Sequence, residues 1–445
     1  MSVVANLASV LQRQGYEANA GCAVGVLDGQ NQIHCVTRGL ACRESQREVQ
    51  RDSLFRTCSL TKQFTCTLVM SAAHQGLLQL TDHPDKFLPE LHGLDRQLTI
   101  EHLCVNQSGL RDAYVLAMLG GGRPESRFSC QERAAIASLT QIHDTAPGVE
   151  FRYSNTNYFL LGRILERVHD RDLAQLFSQE LFVPARMHGA YAAMDTAVEL
   201  RDGTRGYEVL DGAVTPANTQ VVWGGDACIA ASLEDLLAWQ RFCRSSSHPC
   251  ARAARSLTDP LAPSLCPADY RRGQRLFVHR GRRLVAHTGG LRGWRSAMLS
   301  LSDDALAVVV LFNHMADPEA CALALADAMT QVNSDTSRAS AASQPPSGSE
   351  DQRFSKGRVF PASGRYRCGP IGVEVDDEGL VFTGPLGRSK PYVLFQDADG
   401  GAYVRCERAI DYAPPGRIEL RCVRDGLVVN HPMVRDLHYT AELAA

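Results

Sequence analysis

The sequence predicts an α+β domain, an antiparallel sheet flanked by helices with a largely helical region in the middle, followed by a small C-terminal antiparallel β-barrel. Three observations lead there: an apolar hairpin near the start, a long stretch of helical spacing after it, and strand signals that return only some two hundred residues later. A chain of 445 residues is too long for one compact core, so more than one domain is expected. The boundaries read as 1–332 for the large domain, 333–355 for a linker and 356–445 for the barrel.

The elements follow in order. Cys22 to Asp28 (CAVGVLD), a Gly-Gln-Asn turn and Gln32 to Thr37 (QIHCVT) make a β-hairpin. From Ser59 the period changes, with Phe64, Leu68 and Ala72 at helical spacing and Gly76 as a stop. Residues 80–255 read as helix and loop, with the best helical spacing in Tyr158 to Val168 and Leu233 to Phe242. Strands are expected again at Arg283 to His287, Arg295 to Leu301 and Ala305 to Asn313, then a helix over Glu319 to Gln331. Asn333 to Arg353 is rich in Ser, Ala, Pro and charge without an apolar period, which suits a linker. The short alternating segments beyond it, Gly372 to Val375, Tyr392 to Phe395, Ala402 to Cys406 and Ile418 to Val423, suit a small barrel.

Composition excludes several functions. The net charge is −3 with both signs interspersed, which supplies no basic face for nucleic acid. Met1 to Gly15 lacks the charged start and apolar core of a signal peptide, and no stretch reaches the roughly 18 apolar residues of a membrane helix. A cytoplasmic protein with no membrane partner is therefore expected. The 15 cysteines are odd in number and scattered, which argues for free thiols. CxxC and HExxH are both missing from the sequence, so no metal and no other cofactor is expected.

Only four of the 46 basic residues are lysines, which makes Lys62 informative. Ser59-Leu60-Thr61-Lys62 is the one SxxK in the chain. Positions i and i+3 share a helix face, and the positive helix end favours an alkoxide there, although a capping serine beside a solvated lysine would look the same. Tyr153-Ser154-Asn155 precedes a helical run. A phenol of unperturbed pKa ~10 serves as a base only where cations lower that value; otherwise it is a packed ring at a helix entrance. His287-Thr288-Gly289-Gly290 follows a strand, and paired glycines let backbone N–H groups approach a substrate closely, or simply make a turn.

Together, and in this order, the three resemble the serine β-lactamase and penicillin-binding protein superfamily. Asn106 to Asp112 (NQSGLRD), Gly224 to Ala227 (GGDA) and His287 to Arg295 (HTGGLRGWR) resemble its D-stereospecific aminopeptidase branch in particular. The resemblance covers about residues 15–332 and, more weakly, 357–445. It implies a β-lactamase-like fold in which Ser59 attacks a carbonyl, Lys62 and Tyr153 manage the proton, and the N–H groups of Ser59 and Gly290 hold the oxyanion. Asn155 would contact the substrate and His287 would set the charge on that wall. Family members carry two barrels, of which this chain has room for one. Cys406 to Arg417 resembles the loop that the last barrel sends into the site, which makes Asp411 a partner for the substrate's ammonium group.

What the resemblance implies is a serine hydrolase that releases a small N-terminal D-residue, such as D-Ala, from peptides, amides or esters, in a homodimer. The alternatives are an esterase, a β-lactamase or a DD-peptidase on the same nucleophile, or a non-catalytic binding relative. Trp223 and Trp294 read as packing residues near the site, Cys58 and Cys66 as small buried hydrophobes, and His102 as a helix-start or core residue.

Overall fold

The computed structural model describes residues 3–13, 20–91, 93–122, 127–129, 143–210, 213–301 and 305–331. In the C-terminal third it describes 352–353, 364–368, 371–376, 379–384, 387–389, 394–396, 402–406, 416–423, 426–431 and 434–441. The chain forms two compact units, Met1–Gly109 with Phe128–Cys130 and Thr145–Asp335, and Leu110–Arg127 with Gln131–Asp144 and Thr336–Ala445.

The first unit is built on an antiparallel sheet of eight strands: β1 (Gly21–Leu27), β2 (Ile33–Cys42), β3 (Arg47–Glu48), β4 (Tyr270–Arg271), β5 (Gln274–His279), β6 (Arg282–Leu291), β7 (Trp294–Leu301) and β8 (Leu306–Phe312). Their spatial order is β4-β5-β6-β7-β8-β1-β2-β3. The hairpin of β1 and β2 forms as expected, Leu27 facing Ile33 across the turn. In that turn Asn31 takes a left-handed φ of 61°, and the Asp28 carboxylate accepts the N–H groups of Gln30 and Gln32. β1 then pairs with β8, Cys22 opposite Phe312, so strands almost three hundred residues apart lie side by side.

Both central strands, β1 and β8, are buried along their whole length, because helices cover both faces. On one face, α1 (Val3–Arg13) and a late helix over Pro318–Gln331 pack Leu7, Val10, Leu11, Cys321 and Leu325 against Val24, Val26, Val308 and Val310. On the other face, Gly25 admits the helix Leu233–Ser245. A Cβ there would lie 2.7 Å from the Leu237 side chain. The expected helix after Ser59 is α2 (Thr61–His74), and Gly76, at φ 73°, leads the chain out of it.

Two expectations need correction. The strand ending in His287 continues through Thr288, Gly289 and Gly290 to Leu291, so the glycine pair lies within β6, and the turn falls at Gly293 with φ 80°. Strands also return before the expected Arg283, in the short β4 and in β5, since Gln274–His279 (QRLFVH) is mostly half-buried at best and carries no clean alternation to announce it. The middle region also holds a small sheet, in which Ile229–Ala231 lies between Phe55–Arg56 and Tyr191–Ala192. No described helix is long and apolar enough to cross a membrane.

The second unit contains the helix Ala113–Leu119, capped by the Asp112 carboxylate. It also holds an antiparallel sheet of ten strands, whose spatial order begins Gln352–Arg353, Leu394–Gln396, Ala402–Cys406, Gly416–Val423 and ends Gly379–Gly384, Gly387–Arg388. Val373, Val375, Leu380, Phe382, Ile418, Leu420, Leu427 and Val429 are its buried apolar residues. The linker expected at 333–355, apart from Gln352 and Arg353, lies outside the described residues.

Candidate active site

The segment leading to Ser59 is held on both sides. Thr57 donates its N–H to the Ile229 carbonyl at 2.9 Å, while its own carbonyl accepts the Ser296 hydroxyl of β7 at 2.8 Å. Cys58 follows with φ 55°, a left-handed conformation that costs a residue with a side chain roughly 1–2 kcal/mol. It turns the chain abruptly so that a 3₁₀ turn over Cys58–Leu60 runs into α2. β6 lies against this turn because residue 289 is glycine. A Cβ at that position would stand 2.3 Å from both the Thr57 carbonyl oxygen and the Ser296 hydroxyl.

One turn beyond Ser59, at the second position of α2, Lys62 is fully buried. Its Nζ lies 3.0 Å from Ser59 Oγ, 2.8 Å from Asn155 Oδ1 and 2.9 Å from the Asp226 carbonyl. The Tyr153 and Tyr158 rings stand 4.9 and 5.3 Å from the same nitrogen, measured to their centroids. A buried ammonium is tolerable only when its protons are met in this way. Asn155 opens the helix α3 (Asn155–His169). The Asp226 carbonyl comes within reach because Gly224-Gly225 threads past α3, where a Cβ on Gly225 would lie 2.7 Å from the Tyr158 carbonyl. Thr65 of α2 fixes the same loop by donating to the Gly225 carbonyl at 2.7 Å.

Tyr153 is carried by an extended segment braced from Asn106 to Gly109. Asn106, at φ 56°, accepts the Arg152 N–H on its carbonyl at 2.7 Å. Its side-chain oxygen takes the Ser154 N–H and the Asn157 amide, and Ser108 donates to Asn157 at 2.6 Å. All of these groups are buried, so the brace is not loosened by competing water.

His287 lies on β6 with its ring 6.2 Å from that of Tyr153. Its Nδ1 is 2.6 Å from the Thr288 carbonyl, which can only accept, so the proton sits on Nδ1. Nε2 faces the Tyr270 hydroxyl at 3.1 Å. Burial first, and the nearby Lys62 cation second, push the imidazole pKa down to about 3. It is therefore neutral around pH 7 and sets the charge of that wall to zero. Tyr270 and Tyr158 are themselves buried, their hydroxyls 3.3 Å apart. Tyr158 donates to the Cys104 carbonyl at 2.6 Å. Burial raises the pKa of both phenols well above the ordinary value.

The structure thus brings Ser59, Lys62, Tyr153, Asn155 and His287 together. Gly290 sits half-buried on β6 opposite Arg295. Asp411 lies outside the described residues. Trp223 and Trp294 are buried, the latter edge-on to Phe55. His102 caps its own helix, exchanging hydrogen bonds with Thr99. Sequence reasoning missed Tyr270 and Tyr158. Tyr270 follows an Ala-Asp pair on a two-residue strand with no pattern around it, and Tyr158 reads as one more apolar residue of α3.

A nucleophile-type serine at a helix start, a buried lysine one turn on, and a Tyr-x-Asn across the cleft define a class. The Beta-lactamase family model matches residues 8–331, and the chain belongs to that family. Among curated proteins it is similar to the D-aminopeptidase of Gluconobacter oxydans (strain 621H), 37% identical over 265 residues that make up 59% of this chain and 50% of the relative. The D-aminopeptidase of Brucella anthropi is 33% identical over 304 residues, 67% of this chain and 57% of that one. The chain therefore spans little more than half the length of these relatives. Among solved structures, the octameric penicillin-binding protein homologue from Pyrococcus abyssi superposes over 99% of this chain and 100% of its own, with a TM-score of 0.65 and 18% identity. The D-amino acid amidase from Ochrobactrum anthropi SV3 does so over 75% and 99%, with a TM-score of 0.63 and 17% identity. Both likenesses speak for the fold.

Proposed function

We propose that the protein is a serine hydrolase of D-aminopeptidase type, releasing a small N-terminal D-residue such as D-Ala from amides, peptides or esters. The observation that carries this reading is the buried Lys62 amine, held between Ser59 and two further oxygens. As an ammonium it has a proton for each of the three oxygens. As an amine it still donates to Asn155 and Asp226 and can accept from Ser59, so the Ser59 proton can cross 3.0 Å without any partner moving. Ser59 Oγ then bonds to the substrate carbonyl carbon while the N–H groups of Ser59 and Gly290 hold the oxyanion. The C–N bond breaks as the proton passes, by way of the Tyr153 hydroxyl, to the departing nitrogen. Water releases the acid from the acyl-enzyme along the same route in reverse.

A neutral His287 suits this substrate class, since a cation on β6 would repel the ammonium of a free amino terminus. Asp411 is the proposed carboxylate for that ammonium. The similarity to D-aminopeptidases at 37% and 33% identity supports the choice of branch over β-lactamase, DD-peptidase or esterase. We propose further that 1–332 is the catalytic domain, that the C-terminal sheet closes as a barrel after a linker, and that the protein works in the cytoplasm as a homodimer.

The test is a comparison of D-Ala-p-nitroanilide, its L-enantiomer, p-nitrophenyl acetate and nitrocefin with the full chain. The D-anilide should be turned over in preference to the L-anilide and to nitrocefin, and Ser59→Ala should abolish turnover with an unchanged circular dichroism spectrum. Equal rates on both enantiomers remove the stereospecific reading, and hydrolysis by Ser59→Ala moves the chemistry elsewhere.

A further inference from the structure

We infer that Phe151 is a specificity-determining residue, an aromatic platform for the leaving-group side of the substrate, so that the site favours amides whose released amine carries an apolar or aromatic group. This deepens the reading of Ser59, Lys62 and Tyr153 given above and rests on it.

The chain enters α3 through an extended Ser154, φ −145° and ψ 124°, and Phe151 and Tyr153, two residues apart, meet one common ring. Both rings rest on Tyr270. Phe151 lies 5.1 Å from it at an interplanar angle of 38°, and Tyr153 meets it edge-on at 6.3 Å. Tyr270 cannot swing, because it is buried and its hydroxyl is tied to His287 and faces Tyr158. The result is a row of rings leading outward from Lys62, with Tyr153 first, Tyr270 beneath, and Phe151 at the outer end.

The exposure of Phe151 distinguishes it from its neighbours in this row. Tyr270 is 3% exposed, whereas Phe151 is 39% exposed. Single exposed hydrophobes need no explanation. This one differs in that its inner edge lies tilted against the buried Tyr270 ring while the rest is open, and in that it shares Tyr270 with Tyr153, the phenol proposed to deliver the proton to the departing nitrogen. In the proposed arrangement the group on that nitrogen extends past Tyr153, and the exposed Phe151 ring, which rests on the same Tyr270, is the surface we assign to it. The charged neighbours Arg152 and Glu150 pair with each other at 3.7 Å, so the open surface that Phe151 offers is its apolar ring. An aryl or alkyl group of the leaving amine would be desolvated against it, and ammonia would gain nothing.

The test pairs D-Ala-p-nitroanilide, which releases an arylamine, with D-alaninamide, which releases ammonia. In Phe151→Ala the KM for the anilide should rise about 10-fold with kcat within about 2-fold, the mark of lost uniform binding. D-alaninamide should be handled as by the unmodified protein. Phe151→Tyr should restore the anilide KM, and Phe151→Leu, which guards against a loss of fold, should fall between. Equal losses on both substrates would show that the ring only supports the Tyr153 wall, and no loss on either would show that the leaving group does not reach it; each result overturns the inference. An unmodified protein inert toward both substrates would instead remove the parent reading of the site, which the variant-to-parent ratio cannot do.

Discussion

The two sides of the catalytic-type unit are buried equally well but for different reasons. Behind the sheet, α1 and the helix Pro318–Gln331 meet β1 and β8 through a cluster of buried apolar side chains. In front, the buried groups include Ser59, Lys62, Asn106, Asn157, Asn155, Asp226 and His287. The rear is held by transfer of apolar surface from water, which is non-directional and forgives changes that keep volume. The front is held by directed hydrogen bonds whose partners come from many parts of the chain, and each lost partner leaves a buried polar group unmet. Mutations behind should therefore cost stability and spare chemistry, whereas mutations in front should cost chemistry first and stability as well.

The largest effect is expected at Lys62. Lys62→Ala removes the cation and strands the Asn155 and Asp226 oxygens, so kcat on D-Ala-p-nitroanilide should fall by about 10³-fold or more. A loss below 10-fold in steady-state rates would contradict the contrast. Next comes the rear core: Leu325, fully buried on the late helix, should cost about 2–5 kcal/mol as Leu325→Ala, read from urea unfolding, with kcat/KM at 25 °C unchanged. A comparable loss of activity in the folded variant would mean that the two sides are mechanically coupled.

Gly289→Ala is expected to fall between the two kinds of behaviour. Its methyl group would collide with the Thr57 carbonyl and the Ser296 hydroxyl, pushing β6 off the nucleophile turn. A loss of about 10- to 100-fold in kcat, together with a lowered urea midpoint, should follow. The smallest effect concerns pH. In the folded chain burial and the Lys62 cation push the His287 pKa down to about 3, from an ordinary value of 6.5. Between these values the unfolded chain binds the extra proton, so stability falls as pH drops from 6.5 toward 3, by up to about 1.4 kcal/mol per unit. His287→Asn should flatten that slope when urea midpoints at pH 7 and pH 5 are compared. An unchanged slope would mean that the acid sensitivity has another source.

The same division explains what could be read in advance. The β1–β2 hairpin, α2, β7, β8 and the last helix were legible because apolar periodicity is a local record of which face is buried. The order of SxxK, YxN and HTGG, and with it the family, was legible because those spacings are local too. β5 was not, since an edge-side strand with half-buried Gln274 and His279 around an exposed Arg275 keeps no alternation. The reach of β6 through Gly290 was also hidden, because a glycine pair in a strand looks like a turn unless the segment it must approach is known.

Spacing along the chain was enough to nominate Ser59, Lys62, Tyr153 and His287 and to place the first two on one helical turn. It could not say that Lys62 would be shared between Asn155 and the Asp226 carbonyl, that His287 would be kept neutral, or that Tyr270 would stand between the two walls. Those facts depend on distances between residues 93 and 164 positions from Lys62, and on burial, which alters charge. Such properties arise when the sheet closes and the helices dock, and no neighbouring residue carries a trace of them.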